Sequence, residues 1–134
     1  MCKKIQSLGL LALALIICLC GCSTAPIDTS DINSMELFSN ILNNKVTEIK
    51  KINFDGTEVT INNADKISQI LDILENNVYS VLDEDEYIEG MYSIEFDTAS
   101  GTVSIGISSN YIAINGKQYM TSNDLATEIL NFFK

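Results

Sequence analysis

The sequence predicts an α+β domain in which an antiparallel sheet is covered by helices on one face, in the order α-β-β-α-β-β-β-β-α. Three observations carry that reading. Apolar residues recur at helical spacing near the start, middle and end of the region 32–134, and alternate with polar residues between those stretches. Two of the alternating stretches are split by Asp55–Gly56 and Asn115–Gly116, dipeptides that favour the tight turns joining neighbouring antiparallel strands. Strands with one apolar and one polar side suit a sheet that packs on its apolar face, which helices can cover.

In chain order, Ile32, Met35, Phe38, Ile41 and Leu42 predict a first helix, with Asp31 as N-cap and Asn43–Asn44 as its stop. The runs "VTEIKKINF" and "TEVTIN" then flank Asp55–Gly56, which predicts a hairpin with a type I′ turn. Asn63 caps a second helix that places Ile67, Ile70, Leu71 and Leu74 on one side. "VYSVL" (78–82) reads equally as a short strand or as a continuation of that helix. Beyond an acidic stretch, Tyr92, Ile94 and Phe96 alternate with Ser93, Glu95 and Asp97, and Val103, Ile105 and Ile107 alternate with Ser104, Gly106 and Ser108. Gly106 thus falls on the polar side of its strand, where it permits close approach or is neutral. "YIAIN" and "KQYMT" form the second hairpin around Asn115–Gly116. A terminal helix, capped by Thr121 or Ser122, carries Leu125, Ile129, Leu130 and Phe133. Two hairpin-then-helix blocks result, and a duplication is one origin for them.

The first 21 residues read differently. Lys3 and Lys4 precede an uncharged apolar stretch, Ile5 to Leu19, which is too short to span a bilayer as a helix needing about 20 apolar residues. A basic start, a short apolar core and small residues after it make a secretory signal peptide. The stretch ends in "LCGC", Leu19 to Cys22, which resembles the lipobox of bacterial lipoproteins: an aliphatic residue, a small residue before the cysteine, and the cysteine itself. The less usual feature is Cys20 at the second position. The resemblance implies that the Cys22 sulfur receives diacylglycerol and that a lipoprotein signal peptidase cuts between Gly21 and Cys22. It covers residues 1–22 and extends no further. The implied organisation is a signal peptide (1–21), a lipidated tether (22–31, containing the one proline, Pro26) and a single ectodomain (32–134) exposed on the outer face of the cell membrane. Metal or disulfide readings of Cys18, Cys20 and Cys22 fare poorly. No cysteine follows Cys22, no histidine occurs in the chain, and alternate residues of an apolar helix cannot bridge well.

Charge and composition narrow the function. The chain has 18 carboxylates against 8 lysines, a formal charge of −10. Removing residues 1–21 takes away two lysines and no carboxylate, leaving −12. A domain so acidic lacks the basic patch that nucleic acid demands, and anionic headgroups repel it. Lysine without arginine, with abundant isoleucine and asparagine, is the composition of an AT-rich genome and suits a Gram-positive bacterium. Lack of histidine removes Ser-His-Asp and Cys-His arrangements, lack of arginine removes bidentate anion clamps, and no GxSxG, GxGxxG or Walker-type loop occurs.

The stretch "DEDEYIEG" stands out, with Asp83, Glu84, Asp85, Glu86 and Glu89 around Tyr87. Clustered carboxylates are what Ca²⁺ binds, but the EF-hand spacing fails: Ile88 occupies the sixth position and Ile94 the twelfth. Highly charged runs are ordinarily solvated, so the expectation is an exposed acidic loop with no cofactor. Of the tyrosines, Tyr92 and Tyr119 are expected in the core and Tyr87 at the surface. The functional expectation is therefore a non-catalytic binding domain for an envelope protein or peptide, using residues 83–90 and the polar sheet face. Its rivals are an inhibitor or immunity lipoprotein that neutralises a basic protein, and a small carboxylate-dependent hydrolase.

Overall fold

A computed structural model of the chain describes residues 31–83 and 86–134. Helices α1 (Ser34–Leu37) and α2 (Ser39–Leu42) precede strands β1 (Val46–Ile52) and β2 (Glu58–Ile61), helix α3 (Ala64–Asn76) and strand β3 (Tyr79–Val81). Strands β4 (Tyr92–Thr98), β5 (Gly101–Ser108), β6 (Tyr111–Ile114) and β7 (Lys117–Thr121) follow, then helix α4 (Leu125–Leu130) and a 3₁₀ turn, Asn131–Phe133. The mixed class, the antiparallel sheet and the element order agree with the sequence reading. "VYSVL" resolves into a strand.

The seven strands form one sheet in the order β2-β1-β4-β5-β6-β7-β3, every neighbouring pair antiparallel. Ile49, Ile94, Phe96, Ile105, Ile107 and Ile112 point to one side and are buried beneath Phe38, Ile41, Ile70, Leu74, Leu125 and Ile129 of the helices. Each such side chain contributes about 1.5–3 kcal/mol relative to remaining in water. β-branched isoleucine suits the strand positions because its restricted χ1 fits a pleated surface. A bulge in β1 between Val46 and Glu48 lets Val46 and Ile49, an odd number of residues apart, share the buried side.

Local details depart from the sequence reading in three places. The first helix is two single turns broken at Phe38, and its N-cap is Asn33, whose Oδ1 accepts from the Met35 N–H at 2.9 Å. It starts after Asp31 because Ile32 is held to the sheet instead, its N–H donating to the Tyr79 carbonyl at 2.7 Å. The terminal helix is capped by Asp124, which accepts from the Thr127 N–H at 3.0 Å, rather than by Thr121 or Ser122. Ser122 instead donates its hydroxyl to Asn77, and Thr121 donates to the Asn123 carbonyl. At the first hairpin only Gly56 has positive φ (83°), so the turn is not type I′. The Asp55 carboxylate accepts from the Thr57 hydroxyl and N–H and widens the loop to residues 53–57. Asn115 and Gly116, at φ 52° and 75°, do form the expected two-residue turn.

The sheet order forces two long crossings. β2 and β3 lie at opposite edges, so α3 traverses the whole helix-covered face between them. β3 and β4 are then separated by β7, β6 and β5, so residues 82–91 must travel back across the sheet. Among the described residues of this stretch, Ile88 and Met91 lie over the opposite, polar face. The Gln118 side chain on β7 holds the backbone of Ile88, and Met91 lies against Gly106 of β5. A Cβ at Gly106 would sit 3.0 Å from the Met91 sulfur, so the glycine makes room for this crossing strap. Among the described residues no helix is long and apolar enough to cross a membrane.

Tyr79 joins these layers. It is fully buried, its hydroxyl donates to the Leu74 carbonyl at 2.6 Å, and its ring meets Phe38 edge-to-face at 5.1 Å. Burial pushes its phenol well above the ordinary tyrosine range. Replacing Tyr79→Phe leaves the Leu74 carbonyl without this donor, and urea unfolding is expected to show a loss of about 1–3 kcal/mol. Because the folded phenol stays protonated after the unfolded one, near pH 10, has ionised, the unfolded state binds fewer protons there. Tyr79's contribution is present below that pH and lost as pH rises above it, and the alkaline decline should be shallower in Tyr79→Phe.

Candidate functional site

The strap places the acidic stretch. Asp83, Glu86, Tyr87 and Glu89 are all exposed, Tyr87 to 71%, as a solvated loop requires. Glu84 and Asp85 lie outside the described residues, as do Gly21 and Cys22. The Glu86 N–H donates to the Asp83 carbonyl at 2.9 Å, turning the chain. Gln118 then acts as a surrogate strand: Nε2 donates to the Ile88 carbonyl at 2.7 Å, while Oε1 accepts from the Ile88 N–H at 2.8 Å. Among the described residues no three carboxylates come together in a metal-holding group.

The polar sheet face beside the strap carries its own charge cluster. Lys50 Nζ lies 2.9 Å from Asp97 Oδ2 and 3.1 Å from Glu48 Oε1, and the Thr102 hydroxyl donates to Asp97 Oδ1 at 2.7 Å. The Thr102 hydroxyl and then Lys50 hold Asp97 below the ordinary carboxylate range, and Asp97 and Glu48 raise Lys50 above that of lysine. These groups satisfy one another, so the cluster explains local order on β1, β4 and β5 without calling for a ligand.

The feature that sequence reasoning missed is the β3 edge. Six large apolar side chains are exposed among the described residues, and five of them, Met35, Val78, Val81, Tyr87 and Met120, lie on β3 or on elements beside it. Met120 pairs with Ser80 across the β3–β7 ladder, and Met35 rides on α1, whose approach is set by the Ile32–Tyr79 bridge. The sixth, Phe54, stands at the tip of the β1–β2 hairpin with its ring 4.9 Å from Tyr92, which is half-buried rather than in the core. Tyr119 is buried, as expected. Alternation along each strand shows which residues are apolar, but not that β3 is an edge. No local pattern in "VYSVL" encodes that.

A groove of about 740 Å³ runs along this edge. Ile32 and Leu37 form one wall, Asp83 and Tyr87 of the strap another, and the Asn115–Gly116 turn closes an end beside Lys117. Val81, 61% exposed, lines it. The groove combines apolar walls with a few polar groups, the usual composition of a recognition surface. Its shape depends on the strap staying in place. Gln118→Ala is therefore expected to accelerate hydrogen exchange at the Ile88 N–H while leaving the β6–β7 ladder protected. Gln118→Glu, which keeps the acceptor, should retain most of that protection.

In comparisons with known proteins the chain matches no family model, no curated protein and no solved structure.

Proposed function

We propose that this chain is an exported bacterial lipoprotein, anchored by diacylglycerol on Cys22, whose ectodomain binds a protein or peptide of the cell envelope and performs no catalysis. The lipobox-like Leu19–Cys22 supports the anchor. The observation that carries the binding role is the groove beside the β3 edge, where the exposed side chains of Val81 and Tyr87 stand among other apolar lining residues.

The anchor has a simple energetic basis. Each buried methylene contributes about 0.8 kcal/mol, so two acyl chains on one cysteine hold a domain to the bilayer where a single chain holds it marginally. Residues 22–31 would let the domain stand about 30 Å from the lipid surface at full extension. The charge of −12 keeps the domain off anionic headgroups, and the tether raises its effective concentration near membrane partners.

A second reading, an inhibitor or immunity lipoprotein that neutralises a basic protein, is favoured by that same charge, which would accelerate encounter with a cationic partner. Association rates that fall steeply with added salt would select it.

The anchor is tested by Cys22→Ala. Wild-type protein is expected in the membrane fraction as a shortened, lipid-labelled species. The variant should accumulate uncut and unlabelled, or leave the membrane. A Cys22→Ala protein that was still cut and still acylated would overturn the proposal.

A further inference from the structure

The backbone of β3 shows how its edge is presented. The Val78 carbonyl accepts from the Ser122 N–H, and the Leu82 N–H donates to the Gln118 carbonyl, so the even-numbered residues of this stretch face β7. The Tyr79 carbonyl faces the other way and accepts from Ile32. By strand alternation the N–H and C=O of Val81 also point outward, away from β7 and into the groove. The side chains around it divide by character. Ile32, Leu37, Val81 and Tyr119 supply apolar lining, Glu36 and Asp83 supply two carboxylates against the single cation of Lys117, and Glu86 lies exposed farther along the strap.

We propose that β3 receives an extended basic peptide segment of a partner protein, which adds to the sheet at Val81 and lays alternating apolar residues into the groove. The proposal rests on the binding role above and names the site and the partner's chemistry. Main-chain bonds to an open strand edge supply affinity, and side-chain pockets on alternate positions supply selectivity. Charge complementarity identifies the occupant: a lysine-rich strand meets the Glu36 and Asp83 carboxylates, within a domain whose overall charge draws cations inward. The same charge opposes a second copy of this chain, since edge-to-edge pairing would bring two strongly acidic domains together.

The test uses the full-length lipidated protein in detergent micelles and a fluorescent peptide of alternating lysine and valine. Anisotropy should report saturable binding that weakens about tenfold or more between low salt and about 0.5 M salt. Val81→Pro removes the outward N–H without touching the β7 ladder, because proline is tolerated on the free side of an edge strand. It should weaken binding about tenfold or more with an unchanged melting temperature. A peptide N-methylated at alternate residues keeps its charge but lacks main-chain donors, and should lose binding to the wild-type protein by a similar factor. Asp83→Asn with Glu36→Gln should weaken binding and flatten the salt dependence.

Equal binding of the N-methylated peptide, or of the Val81→Pro protein, would overturn strand addition. Binding that appears only after residues 23–31 are replaced by a Gly-Ser linker would identify the chain's own tether as the occupant. Concentration-dependent dimerisation abolished by Val81→Pro would identify a second copy. Either result overturns the basic-peptide assignment. In-cell photocrosslinking separates this from the broader proposal. A partner captured from position 54 and not from position 87 leaves the binding role standing and removes the β3 site.

Discussion

Tyr79 sits where the layers of this domain meet, and the fold around the candidate site depends on its placement. Its hydroxyl satisfies one of the last carbonyls of α3, that of Leu74, which no intrahelical donor reaches. The Asn76 side chain, at the last position of α3, donates to the Asp72 carbonyl, and that of the cap residue Asn77 donates to the Ile73 carbonyl. Asn77, nearly buried, also accepts from the Ser122 hydroxyl and the Asn123 N–H, tying α3 to the turn before α4. With its ring against Phe38 and its carbonyl bonded to Ile32, Tyr79 holds the end of α3, the first helical turns and β3 in one arrangement.

Fixing β3 beyond β7 has consequences for the rest of the chain. The next strand in sequence, β4, lies four places away in the same sheet and runs in the same direction, so a crossover is unavoidable. The helix-covered face is already occupied by α3 and α4, which leaves the polar face for residues 82–91. A mid-sheet glycine gives Met91 space there, and Gln118 supplies the missing pairing for Ile88. Asp83 and Tyr87 of the strap line the same groove as Val81. The groove follows from the topology, since its walls come from α1, β3, the strap and the β6–β7 turn, elements far apart in the chain.

The polar face and the β3 edge differ in what their residues leave unsatisfied. On the face, Lys50, Glu48, Asp97 and Thr102 answer one another at hydrogen-bonding distance. At the edge, apolar side chains meet water and the Val81 main chain points outward. Short edge strands are one way proteins limit unwanted pairing, and β3 has three residues.

What the amino-acid sequence determined by itself was local. Alternating apolar residues marked β4 and β5, Asn115–Gly116 marked a turn whose two residues need positive φ, and Asn63 marked the start of α3 through its bond to the Lys66 N–H. These depend on neighbours within a few residues, so periodicity and side-chain chemistry reveal them. Tertiary structure decided whatever rests on distant partners. Ile32 left the helix because Tyr79, 47 residues away, offered its carbonyl. Whether "VYSVL" became a strand or a continuation of the helix was settled only when β7 paired with it on one side, with Ile32 its partner on the other among the described residues. An edge is a property of the assembled sheet, and so is the groove beside it.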